Sequence, residues 1–209
     1  MKSKEYYSHT RPEVFRMIDF KPQRVLEIGS GAGGFRTHFG DVEYWGVEPV
    51  REAAEASRSR LTRVLVGFYD EVAEQIPDDY FDLVVCNDVI EHMPNVNAFL
   101  GKISAKLRAG GRLVGSVPNV RYLPVMFGYL FLKDWRYNPN GGVLDDTHLR
   151  FFTRKSMIRT LRETGWQVEK TQYLTQPVYR LAKSLLALVV WPIGLDVLMG
   201  QVGFVAKKE

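Results

Sequence analysis

Three groups of residues in this chain have the types and spacing to do chemistry. The first is Glu27-Ile28-Gly29-Ser30-Gly31-Ala32-Gly33, an apolar run that stops in alternating glycines. Glycine takes left-handed backbone conformations without a side-chain clash and lets a ligand approach the main chain. A helix start after such a turn offers free amides. Glu27 stands where the strand ends, so its carboxylate can orient the loop or meet a cationic ligand group. The second group is Gly46-Val47-Glu48-Pro49, roughly twenty residues on, the spacing at which an acid accepts both hydroxyls of an adenosine ribose. Without a ligand, the same residues make a tight turn and a helix-capping glutamate. The third is Leu144-Asp145-Asp146-Thr147-His148. An imidazole titrates near working pH, which makes His148, with Asp146 beside it, the candidate general base. The alternative is that His148 hydrogen-bonds the loop before the next helix, and His92 reads as a loop anchor.

These groups need elements to hold them, and the hydrophobic pattern supplies alternating strands and helices. Short apolar runs at 24–28, 43–47, 62–66, 81–86 and 112–117 read as strands. Helical patterns fall at 14–18, from 34 to 39, at 51–60, 70–75 and 97–107, the last closed by Ala109-Gly110-Gly111. Thr153 is a natural N-cap for a helix running to about Glu163, with Gly165 ending it. Strands follow at 166–173 and 201–206. This rhythm implies an α/β fold with a parallel sheet covered on both faces. No repeat or linker interrupts it, so residues 1–209 read as one domain, with apolar insertions at about 122–143 and 179–199.

Composition narrows the chemistry. With 45% apolar and 12% aromatic residues among 209, the chain can bury a core without staples. One cysteine, Cys86, excludes an intramolecular disulfide framework and a cysteine zinc cage. His9, His38, His92 and His148 are scattered without metal-ligand spacing, so no metal is expected. The net charge of +4 comes from basic residues spread along the chain, which gives little reason to expect a nucleic-acid partner. The first ten residues carry no signal-peptide core, and the longest apolar stretches run about eleven residues against the roughly twenty of a membrane span. A cytoplasmic protein is expected.

Taken together, Glu27-Ile28-Gly29-Ser30-Gly31-Ala32-Gly33, Glu48, the block Phe81-Asp82-Leu83-Val84-Val85-Cys86-Asn87-Asp88-Val89-Ile90-Glu91-His92-Met93 and Leu107-Arg108-Ala109-Gly110-Gly111-Arg112-Leu113 resemble class I S-adenosylmethionine-dependent methyltransferases. The resemblance spans about residues 6–172. It implies a Rossmann-like, seven-stranded, mostly parallel sheet whose last strand is antiparallel and forms a hairpin with the sixth. It also implies S-adenosylmethionine as cofactor, with Glu27, Gly29 and Gly31 at its methionine end and Glu48 on its ribose. Asn87 and Asp88 would close the pocket. Many relatives place an aspartate directly after the glycine ending the third strand, to meet the adenine amine. Here Gly67 is followed by Phe68-Tyr69, so either Phe68 stacks on adenine or Asp70 reaches it. The rival, an NAD-dependent oxidoreductase, is weakened by the Gly-x-Gly-x-Gly-Gly spacing, which is not Gly-x-Gly-x-x-Gly.

The acceptor is less defined. Relatives that methylate adenine amines in nucleic acid carry an Asn/Asp-Pro-Pro-aromatic tetrad after the fourth strand, and this chain has Asn87-Asp88-Val89-Ile90. Val117-Pro118-Asn119 and the Asp145 to Thr153 stretch resemble instead the branch acting on small molecules, quinone precursors and surface-polysaccharide sugars. Asn119, at the end of the fifth strand, is expected to face the crevice, and Tyr6, Tyr7 and Arg11 to fold over the cofactor. The apolar pieces 122–132 and 185–195, flanked by Lys133, Arg136, Arg180 and Lys183, read as lid and covering helix, as a peripheral membrane contact at the inner face, or as a homodimer interface. The expected activity is O-methylation of a sugar or lipid-linked glycan acceptor. A soluble metabolite, a quinone precursor, or a non-catalytic cofactor-binding partner subunit are the alternatives.

Overall fold

The computed structural model describes residues 6–174 and 194–208. Its strands are β1 (Arg24–Ile28), β2 (Glu43–Glu48), β3 (Arg63–Val66), β4 (Phe81–Asn87), β5 (Leu107–Pro118), β6 (Trp166–Leu174) and β7 (Gln201–Lys208). They form one seven-stranded sheet in the order β3-β2-β1-β4-β5-β7-β6. β1 pairs parallel with β2 and β4, while β7 runs antiparallel to both β5 and β6. The order reverses between β1 and β4, and in open α/β sheets that switch point opens a crevice at the strands' carboxyl ends. The glycine loop leaves β1 there.

The sheet is apolar on both faces because helices cover both. The helices are α1 (Pro12–Phe15), α2 (Arg51–Ser57), α3 (Tyr69–Val72), α4 (Val96–Lys106), α5 (Leu123–Phe131) and α6 (Arg154–Glu163). Leu26, Ile28, Val84 and Cys86 pack with Tyr69 of α3, Phe99 and Ile103 of α4, and Met157 and Leu161 of α6. The intervening strand residues Val25, Leu83 and Val85 pack on the other side with Val14 of α1, Phe35 and Leu61. The period-2 alternation of a strand thus serves two cores. Caps hold the helices that frame the crevice. Asn95 Oδ1 accepts from Ala98 N at 3.0 Å to start α4, and Thr153 Oγ1 accepts from Ser156 N at 3.1 Å to start α6.

Two details differ from the sequence pattern. The segment after the glycine loop is a 3-10 turn, Phe35–His38, shorter than the helix expected at 34–39. β5 begins at Leu107, before the glycines expected to precede it. Phe81 pairs with Leu107 and Leu83 with Arg112, so the intervening residues bulge out of the ladder, with Gly110 at φ 76°. The first apolar piece forms α5, which buries none of its residues. The second lies mostly outside the described residues, as do Arg180 and Lys183. Among the described residues, no helix is long and apolar enough to cross a membrane.

Candidate active site

The crevice is built from main chain first. Gly29, Gly31 and Gly33 have φ of 74°, 51° and 77°, the left-handed region that side chains resist. The amides of Gly29 and Ser30 donate to Val47 O, which pins the loop against the end of β2. A Cβ on Gly31 would lie 2.4 Å from Tyr7 O, and Ala32 N donates to that same carbonyl at 2.8 Å. The N-terminal segment therefore does lie over the loop. Glu48, buried at the end of β2, accepts from Gly31 N at 2.8 Å on one oxygen and from Val50 N at 2.9 Å on the other. Each carboxylate oxygen keeps a second lone pair, so the cap and a hydroxyl-binding role are compatible. Burial raises the Glu48 pKa, and the two backbone bonds lower it in part.

Glu27 faces the opposite core. Its carboxylate accepts from the Tyr44 hydroxyl at 2.8 Å, and burial pushes its pKa up to about 8. The Tyr44 bond pulls this value down and the nearby Glu48 charge pushes it up. At the end of β4, both amide atoms of Asn87 are buried and have no hydrogen-bond partner among the described residues. Asp88, at φ 53°, follows. Its carboxylate pairs with Arg11, accepts from Ser116 Oγ at 3.0 Å and from Gln201 Nε2 at 2.9 Å. Arg11 also donates to Gln201 at 2.6 Å, so the N-terminal segment is tied across the crevice to β7. After β3, Phe68 is 66% exposed, while Asp70 is held by Lys102 Nζ at 2.6 Å.

The acceptor side departs from what the sequence suggested. Asn119 does not face the crevice. It is fully buried, its amide donates to Asp196 O at 3.0 Å and Met199 O at 2.8 Å, and its oxygen accepts from Arg121 N. These bonds tie the segment before β7 to the end of β5, a positioning job that uses the whole side chain. Asp146 is exposed, and its amide reaches Asn138 O at 3.4 Å. The carboxylate set against His148 belongs to Glu91, whose Oε1 lies 3.9 Å from His148 Nε2. Glu91 is fully buried, and burial pushes its pKa up to about 8. Its main-chain carbonyl accepts from the amides of both Leu149 and Arg150, which clamps the His148 loop onto the turn after β4. His92 and His148, expected to be scattered, meet with ring centroids 4.8 Å apart. No motif in the sequence assigns Glu91 a role of its own. The available signal was an acid and an imidazole adjacent at a strand end.

Both the sequence and the fold match known proteins. Residues 3–171 match the family described as a methyltransferase domain, most of the chain. The chain belongs to the S-adenosylmethionine-dependent methyltransferase family. It is 31% identical over 126 residues to a ubiquinone biosynthesis O-methyltransferase of Paramagnetospirillum magneticum, which covers 56% of this chain and 49% of that protein. The chain thus spans about half the length of that curated relative. Among solved structures it resembles a SAM-dependent methyltransferase of Archaeoglobus fulgidus, with TM-score 0.67 and 20% identity over 99% of this chain and 95% of that one. It also resembles the 1,6-didemethyltoxoflavin-N1-methyltransferase of Burkholderia thailandensis, solved with S-adenosylhomocysteine, with TM-score 0.61 and 18% identity over 95% and 77% of the two chains. These methyltransferases share the fold of this one.

The residues present fit the family's cofactor. A Cβ on Gly31 would close the cradle, and the Asn87 amide, a donor and an acceptor together, lacks a partner among the described residues. Buried polar groups are normally satisfied, so an orphaned amide at the strand end calls for a ligand.

Proposed function

We propose that this chain transfers the methyl group of S-adenosylmethionine to a hydroxyl oxygen of a small, lipophilic acceptor. The observation that carries the reading is the orphaned Asn87 amide at the end of β4, across the switch point from the Gly31 cradle and Glu48. In this reading Glu48 takes the ribose hydroxyls, Gly29 and Gly31 admit the amino-acid end, Glu27 supplies negative charge behind that end, and Asn87 and Asp88 close the crevice. Phe68 offers an aromatic face for adenine. S-adenosylmethionine supplies an activated methyl on a sulfonium, so the protein's remaining work is alignment and removal of one proton. His148, backed by Glu91, stands at the acceptor side of the same strand ends.

An oxygen acceptor is supported by the relative that is 31% identical, a ubiquinone biosynthesis O-methyltransferase. A lipophilic one is supported by α5 and the residues after it. Phe127, Tyr129, Leu130, Phe131, Leu132 and Trp135 are exposed there, beside exposed Lys133 and Arg136. An apolar surface flanked by cations suits an acceptor carried at a membrane face, whether a prenylated quinone precursor or a lipid-linked sugar. A homodimer interface would account for the same surface. The test supplies methyl-labelled S-adenosylmethionine to purified protein with a fractionated cell extract. Label in the organic phase, abolished by Glu48→Ala, is expected. Label confined to the aqueous phase would move a soluble metabolite or free glycan to the front. No label in either phase would favour a cofactor-binding subunit without catalysis.

A further inference from the structure

Glu91 poses a physical problem. It is fully buried, and neither of its carboxylate oxygens has a hydrogen-bond partner on another described residue, although its own backbone amide and the Arg11 charge offset part of the burial cost. A buried carboxylate left unpaired is costly, and structures retain one only where something compensates it. Two imidazoles stand beside it. One donor atom from each of Glu91, His92 and His148 lies within 4.8 Å of the other two.

The ring orientations say which atoms those imidazoles offer. His148 Nδ1 lies 3.0 Å from Val143 O, and His92 Nδ1 lies 3.1 Å from Thr147 O. A carbonyl only accepts, so each Nδ1 carries the proton and each neutral ring keeps its lone pair on Nε2. A backbone carbonyl behind the far nitrogen is the arrangement that orients a metal-binding histidine and raises its basicity. The loop carrying His148 is itself held to Glu91 by the Leu149 and Arg150 amides, at 2.9 and 3.0 Å to the Glu91 carbonyl. The two imidazoles are thus oriented by main-chain carbonyls, and main-chain bonds hold together the two segments that carry the three donors.

We propose that Glu91, His92 and His148 form a binding site for a divalent first-row cation, whose remaining coordination positions take an acceptor oxygen. Two imidazoles and one carboxylate make a donor set suited to Zn²⁺, Mn²⁺ or Fe²⁺, and three protein ligands leave positions open. His92 is half-buried, so the cluster is not sealed from solvent. The cation supplies the partner that the Glu91 carboxylate lacks. Its role toward an acceptor rests on the hydroxyl-methylation reading above: a hydroxyl held by a cation gives up its proton to solvent water more readily. The binding site itself does not rest on that reading.

The test uses tag-free, full-length protein stripped with a chelator and dialysed. Zn²⁺ is titrated by calorimetry and Mn²⁺ by electron paramagnetic resonance, with S-adenosylhomocysteine calorimetry on the same preparations. One cation per chain is expected. Loss of one direct ligand should weaken binding by at least ~100-fold in both Glu91→Gln and His92→Ala, since even supporting partners are worth 10–100-fold. Retained S-adenosylhomocysteine binding shows that a variant is folded. If Glu91→Gln does not fold, His92→Ala, at a less buried position, decides alone. A wild-type protein that binds no cation, or variants that bind it undiminished, would overturn the proposal. Cation loss with S-adenosylhomocysteine still bound leaves the cofactor reading standing. Cation binding without S-adenosylhomocysteine binding does the reverse.

Discussion

The glycine loop at 29–33 and the cluster of Glu91, His92 and His148 sit at the same end of the sheet, yet they are built in opposite ways. The loop is one contiguous stretch held almost wholly by main chain, through Val47 O, Tyr7 O and the Glu48 carboxylate. Its demands are steric, and a single Cβ is enough to break it. The cluster comes from two segments more than fifty residues apart and is held at its rear by carbonyls, while its carboxylate has no hydrogen-bond partner on another described residue. Its demands are electrostatic. A site shaped by backbone should fail by clash, and a site of unpaired side chains should respond to charge and ligand.

Substitutions can sharpen or break this contrast. The largest effect is expected for Gly31→Ala, which puts a Cβ against Tyr7 O at a φ of 51°. A strained left-handed residue costs about 2 kcal/mol, so S-adenosylhomocysteine affinity by calorimetry should fall roughly 30-fold. Gly142→Ala is the control, because φ there is 96° but nothing lies within 4 Å. Equal losses at both glycines would mean that general backbone strain, not the cradle, is being read. Next comes Asn119→Ala, which strips the partners from two carbonyls and should lower unfolding stability by about 2 kcal/mol. Cofactor affinity should stay within roughly twofold under the same argument. A large affinity loss with stability intact would return Asn119 to the crevice.

Asn87→Leu separates ligand binding from folding. Removing an orphaned buried amide should raise the stability of the cofactor-free protein by about 1 kcal/mol, while S-adenosylhomocysteine affinity drops roughly tenfold. Lower stability together with unchanged affinity would show that the amide serves the fold instead. The smallest effect on affinity is a pH dependence. Burial holds Glu27 at about 8 in the fold, above its usual value of 4.5. Between those values the folded chain keeps a proton that the unfolded chain has released. Stability of the cofactor-free protein should therefore fall as pH rises from about 4.5 to about 8 and level off above. A cationic ligand favours the ionised acid, so S-adenosylmethionine affinity should rise several-fold from about pH 6.5 to about pH 8. Glu27→Gln should flatten the affinity trend and remove its share of the stability slope, the remainder belonging to Glu91, whose pKa burial likewise pushes up to about 8. An affinity slope that survives it would assign that titration elsewhere.

Much of the fold was legible because its signals are local. Five apolar runs spaced by helices, the turn residues between them and Thr153 before α6 each act through near neighbours in the chain. The cofactor side was legible for the same reason, since Glu27, the glycines and Glu48 lie at fixed offsets along β1 and β2. The acceptor side was read less well. Asn119 ends a strand at the crevice end of the sheet, but the segment before β7 returns to cover it and takes both of its amide hydrogens. Asp146 is adjacent to His148 in sequence, whereas Glu91 is adjacent in space.

The chain's own pattern of glycines, acids and alternating apolar runs determined the doubly covered sheet, the switch-point crevice and the family. A period of two residues and a positive φ are properties of neighbouring residues, and they survive wherever the segment is placed. Tertiary structure alone decided which carboxylate meets His148, which amide is left without a partner among the described residues, and that the N-terminal segment is tied by Arg11 to Asp88 and Gln201. Those outcomes depend on distances between segments far apart along the chain. Burial, pairing and electrostatics are set only when the whole sheet has brought those segments together.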